Sequence, residues 1–213
     1  MTNVRITEIE NGVPLQQLNQ AGIEVVNIVG SLRLERELDL EELADDLEHT
    51  SYHPETYSSL IFRPPEHNIS ILTPRSGKLA IVGAKSPQDL LEGADVFLKK
   101  LESLGVQINK EASEILVQNI VGKFELDEEL DLSVISLGFG LESVEYEPEQ
   151  FPGLIYKKDD EPTVMLFRTG KGTITGANSY RELLSRYHSF RDELADVKEH
   201  IDSSNSQSIG QEK

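Results

Sequence analysis

The chain has 213 residues, 38% of them hydrophobic, which is enough to build the core of one large domain or of two small ones. It has no cysteine, which excludes disulfides and thiolate metal sites, and no apolar run of about 18 residues, which argues against a membrane-spanning helix. With 38 acidic and 20 basic residues, its formal net charge of −18 is unusual for a protein that binds phosphates through Lys and Arg. The N-terminus lacks the basic flank and apolar stretch of a signal peptide. Because the chain has no cysteine, a reducing cytosol is the expected compartment.

The acidity has two interpretations. It is either the solvated surface of a protein that does not bind nucleic acid, or an adaptation to molar salt. In molar salt the Debye length falls to about 3 Å, so repulsion between like charges is largely screened. A net charge far from zero also keeps a protein soluble. We favour the adaptation to salt.

The first series of predicted elements follows an N-terminal extension, residues 1–22, that is uninformative. A strand opens the series, and a short helix follows from the segment ELDL, with Asp39 near its start, where a carboxylate suits the helix dipole. Three short strands come next, and a long amphipathic helix with Pro87 in its first turn closes the series. The predicted strands are 25–34, 58–63, 68–73 and 78–82, and the long helix ends at Gly105.

The second series repeats the first in the same order. A second ELDL segment, with Asp131, starts the short helix, and a long helix over residues 179–197 has apolar residues at helical spacing. The polar residues 201–213 are expected to be disordered. The predicted strands of this series are 116–126, 153–157, 163–168 and 171–175.

Five pairs of segments show that the two series are a sequence repeat. SYHPETYSSLIF at 51–62 resembles EYEPEQFPGLIY at 145–156, and both keep an aromatic residue after a Pro-Glu turn. The other pairs are NIVG at 27 and 119, ELDL at 37 and 129, SGK at 76 with TGK at 169, and GAKS at 83 with GANS at 176. The chain is therefore predicted to contain two homologous units, residues 23–108 and 114–200, joined by the linker NKEAS.

Each unit has one sheet face that its long helix cannot cover. Alternation predicts that Val25, Asn27 and Val29 share one face against Val26, Ile28 and Leu32. In the second unit it places Val117, Asn119 and Val121 on one face, against Leu116, Gln118 and Ile120. Both faces are largely apolar, so the uncovered face is either a partner surface or is buried by the other unit.

The duplicated NIVG, the segment YEPEQFPGLIY, the strand ending in FRTGK and the following TITGA resemble the TATA-box-binding protein family, in its archaeal branch. The resemblance covers residues 24–197 and occurs in order in both repeats. It implies an α+β saddle: two direct repeats form one continuous curved antiparallel β-sheet with four helices on the convex side. This family is the standard example of minor-groove binding with apolar side chains wedged between base steps.

The resemblance assigns the residues that face the groove. Asn27 and Asn119 match paired asparagines that donate to the acceptors of A·T pairs, and Val29 and Val121 match valines that exclude the guanine amino group. Met165 takes the place of a Leu, and Thr173 stands where the family usually has Val. The remaining positions implied to face the groove are Thr175 and, in the first repeat, Leu72, Ala80 and Val82.

The wedging residues differ between the repeats. Phe151 and Phe167 match the wedging pair of the second repeat. In the first repeat Tyr57 stands at the first wedge and Pro74 at the second. A proline side chain can unstack bases, but proline has no backbone N–H to donate to the hydrogen-bond ladder of a central strand. A weaker or asymmetric kink is therefore expected from the first repeat.

The resemblance also implies charged contacts. The candidates for phosphate binding flank the concave strands, although a solvated surface charge is the plainer interpretation of each: Arg63, Lys78, Lys157, Arg168 and Lys171. The turn of the second repeat matches the acidic positions that bind transcription factor B: Glu147, Glu149 and Gln150. RNA polymerase is implied as an indirect partner, and the expected state is a monomer on DNA, with a dimer as an option for the free protein.

No catalytic or metal-binding pattern stands out. The five histidines are scattered without the spacing of metal ligands, and the glycine-rich segments 138–143 and 169–173 do not complete a nucleotide-binding motif. We therefore expect neither an enzyme nor a cofactor, and we expect a cytoplasmic protein associated with the nucleoid.

Three functions remain open at this level. The first is a general initiation factor that binds and bends the TATA box and recruits transcription factor B. The second is a paralogue with weakened DNA binding that regulates transcription mainly through transcription factor B, which Pro74, Ala80 and Val82 favour. The third is a duplicated domain that holds a small apolar ligand against its sheet, which the intact second repeat disfavours.

Overall fold

The chain folds into two compact units. The computed structural model describes residues 4–109, 113–140 and 142–209. The first unit comprises the described residues of 1–9 and 25–120, and the second comprises those of 10–24 and 121–213. Residues 110–112 of the predicted linker and the last four residues of the predicted tail lie outside the described residues.

The elements follow the predicted order, with four additions, which are β1 and α1 near the N-terminus and the two-residue strands β3 and β8. In chain order they are β1 (Arg5–Ile6), α1 (Leu15–Gln20), β2 (Glu24–Arg33), α2 (Leu40–Asp46), β3 (Thr50–Ser51), β4 (Ser59–Phe62), β5 (Ser70–Pro74), β6 (Lys78–Ala84), α3 (Pro87–Ser103), β7 (Glu114–Glu125), α4 (Leu132–Phe139), β8 (Val144–Glu145), β9 (Gly153–Tyr156), β10 (Thr163–Phe167), β11 (Lys171–Ala177) and α5 (Tyr180–Ile209).

Each unit contains an antiparallel meander. In the first, the strand order is β3-β4-β5-β6-β2 and continues to β7, while in the second β7 is followed by β11-β10-β9-β8. The registers of the two meanders correspond: Leu72 pairs with Ala80 in the first, and Met165 pairs with Thr173 in the second. Strand β1 adds a short parallel ladder to the start of β7. The chain thus has the predicted α+β fold of two repeats.

The long helix of each unit covers one face of its meander. In the first unit, Phe97 of α3 packs on Phe62 of β4, with ring centroids 5.1 Å apart. In the second unit, Phe190 of α5 lies 5.8 Å from Phe124 and 6.2 Å from Tyr156. These rings are almost fully buried, and burying an aromatic side chain contributes roughly 1.5–3 kcal/mol to stability.

Side-chain caps start the helices where the sequence predicts. The Asp39 carboxylate accepts hydrogen bonds from the N–H groups of Glu41 and Glu42, and Asp131 does the same for the first turn of α4. Ser86 and Asp89 form a capping box at the start of α3, with Pro87 in the first turn. These groups satisfy N–H donors that have no partner within the helix.

The N-terminal extension is structured over its described residues, and with its helix α1 the described part of the chain contains five helices where four were expected. Leu18 of α1 and the nearby Ile23 are almost fully buried in the core of the second unit. In the first unit, β1 is held by backbone bonds, including one of 2.9 Å from Thr7 N–H to the Ile115 carbonyl. The buried apolar residues explain why this segment is ordered.

Helix α5 is longer than predicted. The helix continues to Ile209, beyond the predicted end near Val197 and into the segment from residue 201 that was expected to be disordered. Ile201 lies one turn beyond Val197 and is partly buried, and no glycine or proline interrupts the segment before Gly210. Composition alone suggested disorder because the segment is polar.

The simple alternation predicted for β2 and β7 is also wrong in part. Val25 is buried, whereas it was expected to share the face of Asn27 and Val29, which are partly exposed. The ladder with β6 has a bulge beside Val29, where β6 contributes one extra residue, but this bulge lies beyond Val25 and Asn27 and does not shift the alternation of β2. In β7, Leu116 and Gln118 are exposed although Ile120 is buried, so these three residues do not share one environment.

A hydrogen-bonded charge cluster joins β9 to α5 in the second unit. The Glu193 carboxylate accepts a 2.7 Å bond from the Tyr156 hydroxyl and a 2.5 Å bond from Lys158 Nζ, while the guanidinium of Arg186, 4.9 Å from the Tyr156 ring, pairs with Glu161 at 3.0 Å. Burial opposes the ionisation of Glu193, but the bonds from Lys158 and Tyr156 outweigh it and lower its pKa. Burial and the bond to Glu193 raise the pKa of Tyr156.

This cluster predicts an acid-sensitive contribution to stability. The pKa of Glu193 is lower in the folded chain than in the unfolded chain. The contribution of Glu193 to the free energy of unfolding is therefore complete above its ordinary pKa, and it is lost as the pH falls through the lowered pKa. Glu193→Gln should cost about 1–2 kcal/mol at pH 7 and flatten the pH dependence of unfolding in the acidic range. Denaturant unfolding between pH 3 and pH 7 tests this, with the exposed Glu199→Gln as control; an unchanged acid dependence would contradict it.

Candidate nucleic-acid interface

Each meander has an open face opposite its helices. Along β5 and β6 of the first unit, buried residues such as Ile71 and Ile81 alternate with partly exposed ones. The second unit repeats the pattern along β10 and β11. The partly exposed residues are the ones that the resemblance assigns to the groove: Leu72, Pro74, Ala80 and Val82 in the first unit, and Met165, Phe167, Thr173 and Thr175 in the second.

Asn27 has an orientation that the backbone fixes. Its side-chain oxygen accepts a 2.9 Å hydrogen bond from the Gly83 N–H, across the irregular ladder between β2 and β6. Because the oxygen is used in this way, the amide NH₂ is the group that remains to contact a ligand. An NH₂ donor is what the N3 and O2 acceptors of A·T pairs require in the minor groove.

Three further groove candidates are partly exposed on their strands. Val29 follows Asn27 on β2, and Asn119 and Val121 occupy the matching positions of β7. In each strand, a partly exposed asparagine precedes a valine by two residues. The same short pattern is therefore displayed once in each repeat.

The wedging candidates of the second unit form a contact pair. Phe151 is 38% exposed, and its ring lies edge-on to that of Phe167 with centroids 5.8 Å apart. Gly153 makes room for the pair, because a Cβ there would lie 2.6 Å from Phe151 Cε1 and 3.0 Å from Phe167 Cε1. An exposed aromatic ring, supported from behind by a second ring, is a suitable wedge between base steps.

The first unit builds its counterpart differently. Tyr57 is 47% exposed, and its N–H bonds the carbonyl of His53 at 2.8 Å, as the Phe151 N–H bonds the carbonyl of Glu147 at 2.9 Å. Pro74 is the last residue of β5 and pairs with Ser59, which occupies the position of Gly153. The turn is therefore repeated, but the supporting aromatic ring is replaced by proline.

The five phosphate candidates differ in their partners. Lys157 Nζ lies 2.7 Å from the carboxylate of Glu145, and Lys171 Nζ lies 3.9 Å from that of Glu125. Arg63 donates to the Ser51 hydroxyl at 3.4 Å. Within the part of the chain that the structure describes, no carboxylate pairs with Arg63, Lys78 or Arg168. These three cations can therefore bind a phosphate without first breaking an ion pair with a carboxylate.

Arg33 is a further cation that the sequence analysis did not single out. It is exposed at the end of β2 and pairs across the ladder with Lys78. Both residues line an open cavity of about 400 Å³, together with Gln118 and Leu116. Its position two residues after Ser31 and four after Val29, along the same strand, is a signal that could have identified it.

The turn of the second repeat is exposed and compact. Glu147, Glu149 and Gln150 are all exposed, and the Gln150 side-chain amide donates to the Glu147 carboxylate. The backbone closes through a 2.9 Å bond from the Gln150 N–H to the Glu147 carbonyl. The turn presents a carboxylate surface beside the wedge candidate Phe151, as a basic protein partner would require.

Other kinds of site find little support in the geometry. Within residues 4–109, 113–140 and 142–209, no group of three or more His, Asp or Glu side chains is placed to hold a metal ion. The helices described there include none that is long and apolar enough to cross a bilayer.

Comparison with known proteins shows that the chain is similar to one family. The sequence profile described as "Transcription factor TFIID (or TATA-binding protein, TBP)" matches residues 22–104 and 114–197. A TATA-box-binding protein of Natronomonas pharaonis is 42% identical over 176 residues, which cover 81% of this chain and 94% of that protein. TATA-box-binding protein 1 of Haloferax volcanii is 44% identical over 155 residues, covering 72% of this chain and 82% of that protein.

A solved structure has the same fold. The Methanococcus jannaschii TBP superposes with a TM-score of 0.74 at 36% sequence identity, and the match covers 82% of this chain and 98% of that one. The similarity therefore extends over both repeats and is not confined to a single motif.

Proposed function

Since the chain belongs to the TATA-box-binding protein family, we propose that it is an initiation factor that binds the minor groove of the TATA box. In this proposal it bends the DNA, recruits transcription factor B through the Glu147–Gln150 turn and thereby brings RNA polymerase to the promoter. It acts as a monomer on DNA in the cytoplasm, and it needs no cofactor.

The observation that carries the proposal is the duplicated open face. Each repeat displays an asparagine and a valine on its long strand, a row of small or apolar residues on its meander, and an exposed aromatic ring at its turn. The valines exclude the guanine amino group, the asparagines donate to acceptors, and the aromatic rings unstack bases.

A direct bending measurement tests the proposal. An end-labelled TATA duplex in molar KCl should show increased energy transfer when the protein is added. Bending only after transcription factor B is also added would support a saddle that depends on its partner. No bending in either case would overturn the DNA-binding role and favour a regulator that acts through protein contacts.

The regulator is the second candidate function, and the first repeat favours it. Pro74 replaces a supporting aromatic ring, and Ala80 and Val82 provide smaller or different groove contacts than the family pattern. These changes are expected to weaken the contacts of the first repeat with DNA, but not those of the second repeat. A regulator of this kind would bind transcription factor B at the Glu147–Gln150 turn while showing little affinity for a TATA duplex alone.

Two substitutions of Asn27 separate its structural role from its role on DNA. Asn27→Asp keeps an oxygen that accepts from the Gly83 N–H but replaces the NH₂ donor by a second carboxylate oxygen. The free energy of unfolding should therefore change little, whereas the affinity for TATA DNA should fall by about tenfold or more. Asn27→Ala removes both groups and should also cost about 1 kcal/mol of stability. Thermal unfolding and a mobility-shift titration measure the two effects. Unchanged affinity of the Asp variant would show that Asn27 does not read the groove.

A further inference from the structure

Helix α4 is an uncharged surface helix in a strongly acidic chain. Its sequence, LSVISLGF, contains no charged residue, whereas the corresponding helix α2 of the first repeat, LEELADD, contains four carboxylates. At the offset of 92 residues, Val134 corresponds to Glu42 and Leu137 to Asp45. Two acidic surface positions of one repeat are therefore apolar in the other.

The apolar side chains of α4 are exposed and border a groove. Leu137 is 71% exposed and Val134 is 36% exposed. Together with Val197 and Ile201 of α5 they line a cavity of about 600 Å³, which we call the α4–α5 groove. A second cavity of about 420 Å³ shares Val134 and Ile201 and extends toward the start of α4.

Acidic residues border the apolar floor. Asp196 lines the larger cavity, and Glu128, Glu129 and Asp131 line the smaller one. The Lys198 side chain is already paired with the Glu128 carboxylate. The groove is thus apolar in its floor and acidic at its edge.

The apolar floor and the acidic edge together indicate which kind of molecule the α4–α5 groove can bind. Apolar side chains exposed at the surface of a soluble protein mark an interaction site when they form a contiguous patch. The acidic edge would repel nucleic acid, and it would also repel the same groove of a second copy in a chain whose net charge is −18. The complementary surface is a helix with apolar residues on one side and basic residues along both flanks.

We propose that the α4–α5 groove binds an amphipathic helix of a partner protein, with Lys or Arg beside its apolar face. Leu137 and Val134 contact the apolar face of that helix, and the acidic edge orients it. The groove is formed by helices, whereas the Glu147–Gln150 turn proposed for transcription factor B is a separate surface. This inference does not depend on the proposed binding to DNA.

A synthetic peptide provides the probe. We would use a fluorescein-labelled amphipathic helix with Leu at positions i, i+3, i+4 and i+7 and Lys on both flanks, and a matched peptide with Glu in place of Lys. Fluorescence anisotropy with the full chain should show binding of the Lys peptide and about tenfold or weaker binding of the Glu peptide. Raising the KCl concentration should narrow the difference between them, because salt screens the charged edge.

Variants of α4 locate the site. Val134→Glu and Leu137→Asp introduce the residues that α2 carries at the same positions, so both should fold, and each should weaken binding of the Lys peptide about tenfold. Leu104→Asp, at an exposed apolar residue of the first unit, is the matched control and should bind normally. The unfolding temperatures of all three variants establish that the chain remains folded.

Several outcomes would overturn the proposal. They are the absence of peptide binding, equal binding of the two peptides at low salt, and normal binding by Leu137→Asp. A further one is a concentration-dependent dimer, seen by sedimentation, that Leu137→Asp dissociates, because the groove would then be covered by a second copy. Reduced peptide binding by both α4 variants together with normal binding by Leu104→Asp would support it.

Discussion

The affinity of this chain for TATA DNA is expected to stay level or to rise between about 0.1 M and about 1 M KCl. A protein that neutralises phosphates with free cations instead loses affinity, with a slope of log affinity against log salt near −0.9 for each phosphate. Here the net charge of −18 repels DNA at low salt, and added salt screens that repulsion. Two of the five candidate cations, Lys157 and Lys171, also already have a carboxylate partner.

Variants that release these cations should change the salt dependence. Glu145→Gln frees Lys157 and Glu125→Gln frees Lys171 to contact a phosphate. Each variant should therefore make the slope of log affinity against log salt more negative by up to about 1. Asp95→Asn removes the partner of Lys99 on helix α3, away from the open face, and should leave the slope unchanged. The measurement is a titration of labelled duplex at a series of KCl concentrations, with circular dichroism to verify folding at each. A steep fall in affinity for the unaltered chain would exclude the adaptation to salt.

Phe151→Ala should impair DNA bending more than Tyr57→Ala does. The Phe151 ring is exposed and supported by Phe167, so its loss removes a preorganised wedge and should weaken the complex by about 2 kcal/mol, roughly thirtyfold in Kd. Tyr57 has proline in place of the supporting ring. Energy transfer across an end-labelled duplex measures the bend, and dissociation kinetics measure the stability of the complex.

Two further variants serve as controls for the wedge. Gly153→Ala leaves both aromatic rings in the chain but displaces them, and it should reduce bending without removing either ring. Ser59→Gly, at the matching position of the first repeat, should have little effect. Equal losses for Phe151→Ala and Tyr57→Ala would show that the first repeat kinks DNA as strongly as the second.

The duplication and its element types could be predicted because they depend on local patterns. The two ELDL segments place an aspartate where it caps a helix, and the SGK and TGK segments each put a glycine in a turn between two strands, where Gly77 and Gly170 adopt positive φ. These features involve residues close together in the chain. The family resemblance rests on the same local motifs, and the comparisons confirm it.

Contacts between distant residues limited the predictions in other places. The burial of Val25, which separates it from the partly exposed Asn27 and Val29, was not visible in the apolar run that contains it. The order of the N-terminal extension depends on packing of Leu18 and Ile23 into a core formed largely by residues more than 100 positions away. The predicted contacts with DNA and with transcription factor B remain proposals.

The sequence by itself determined that this protein has two repeats, which family it belongs to, and where Asp39 and Asp131 start the short helices. Tertiary structure decided how the side chains of the candidate sites are presented. It directed the Asn27 oxygen to Gly83, supported Phe151 with Phe167, paired Lys157 and Lys171 with carboxylates, and left Leu137 exposed beside Val197. The physical reason is that alternation and capping are set by near neighbours, whereas the orientation, exposure and charge of a side chain depend on every group that folding brings around it.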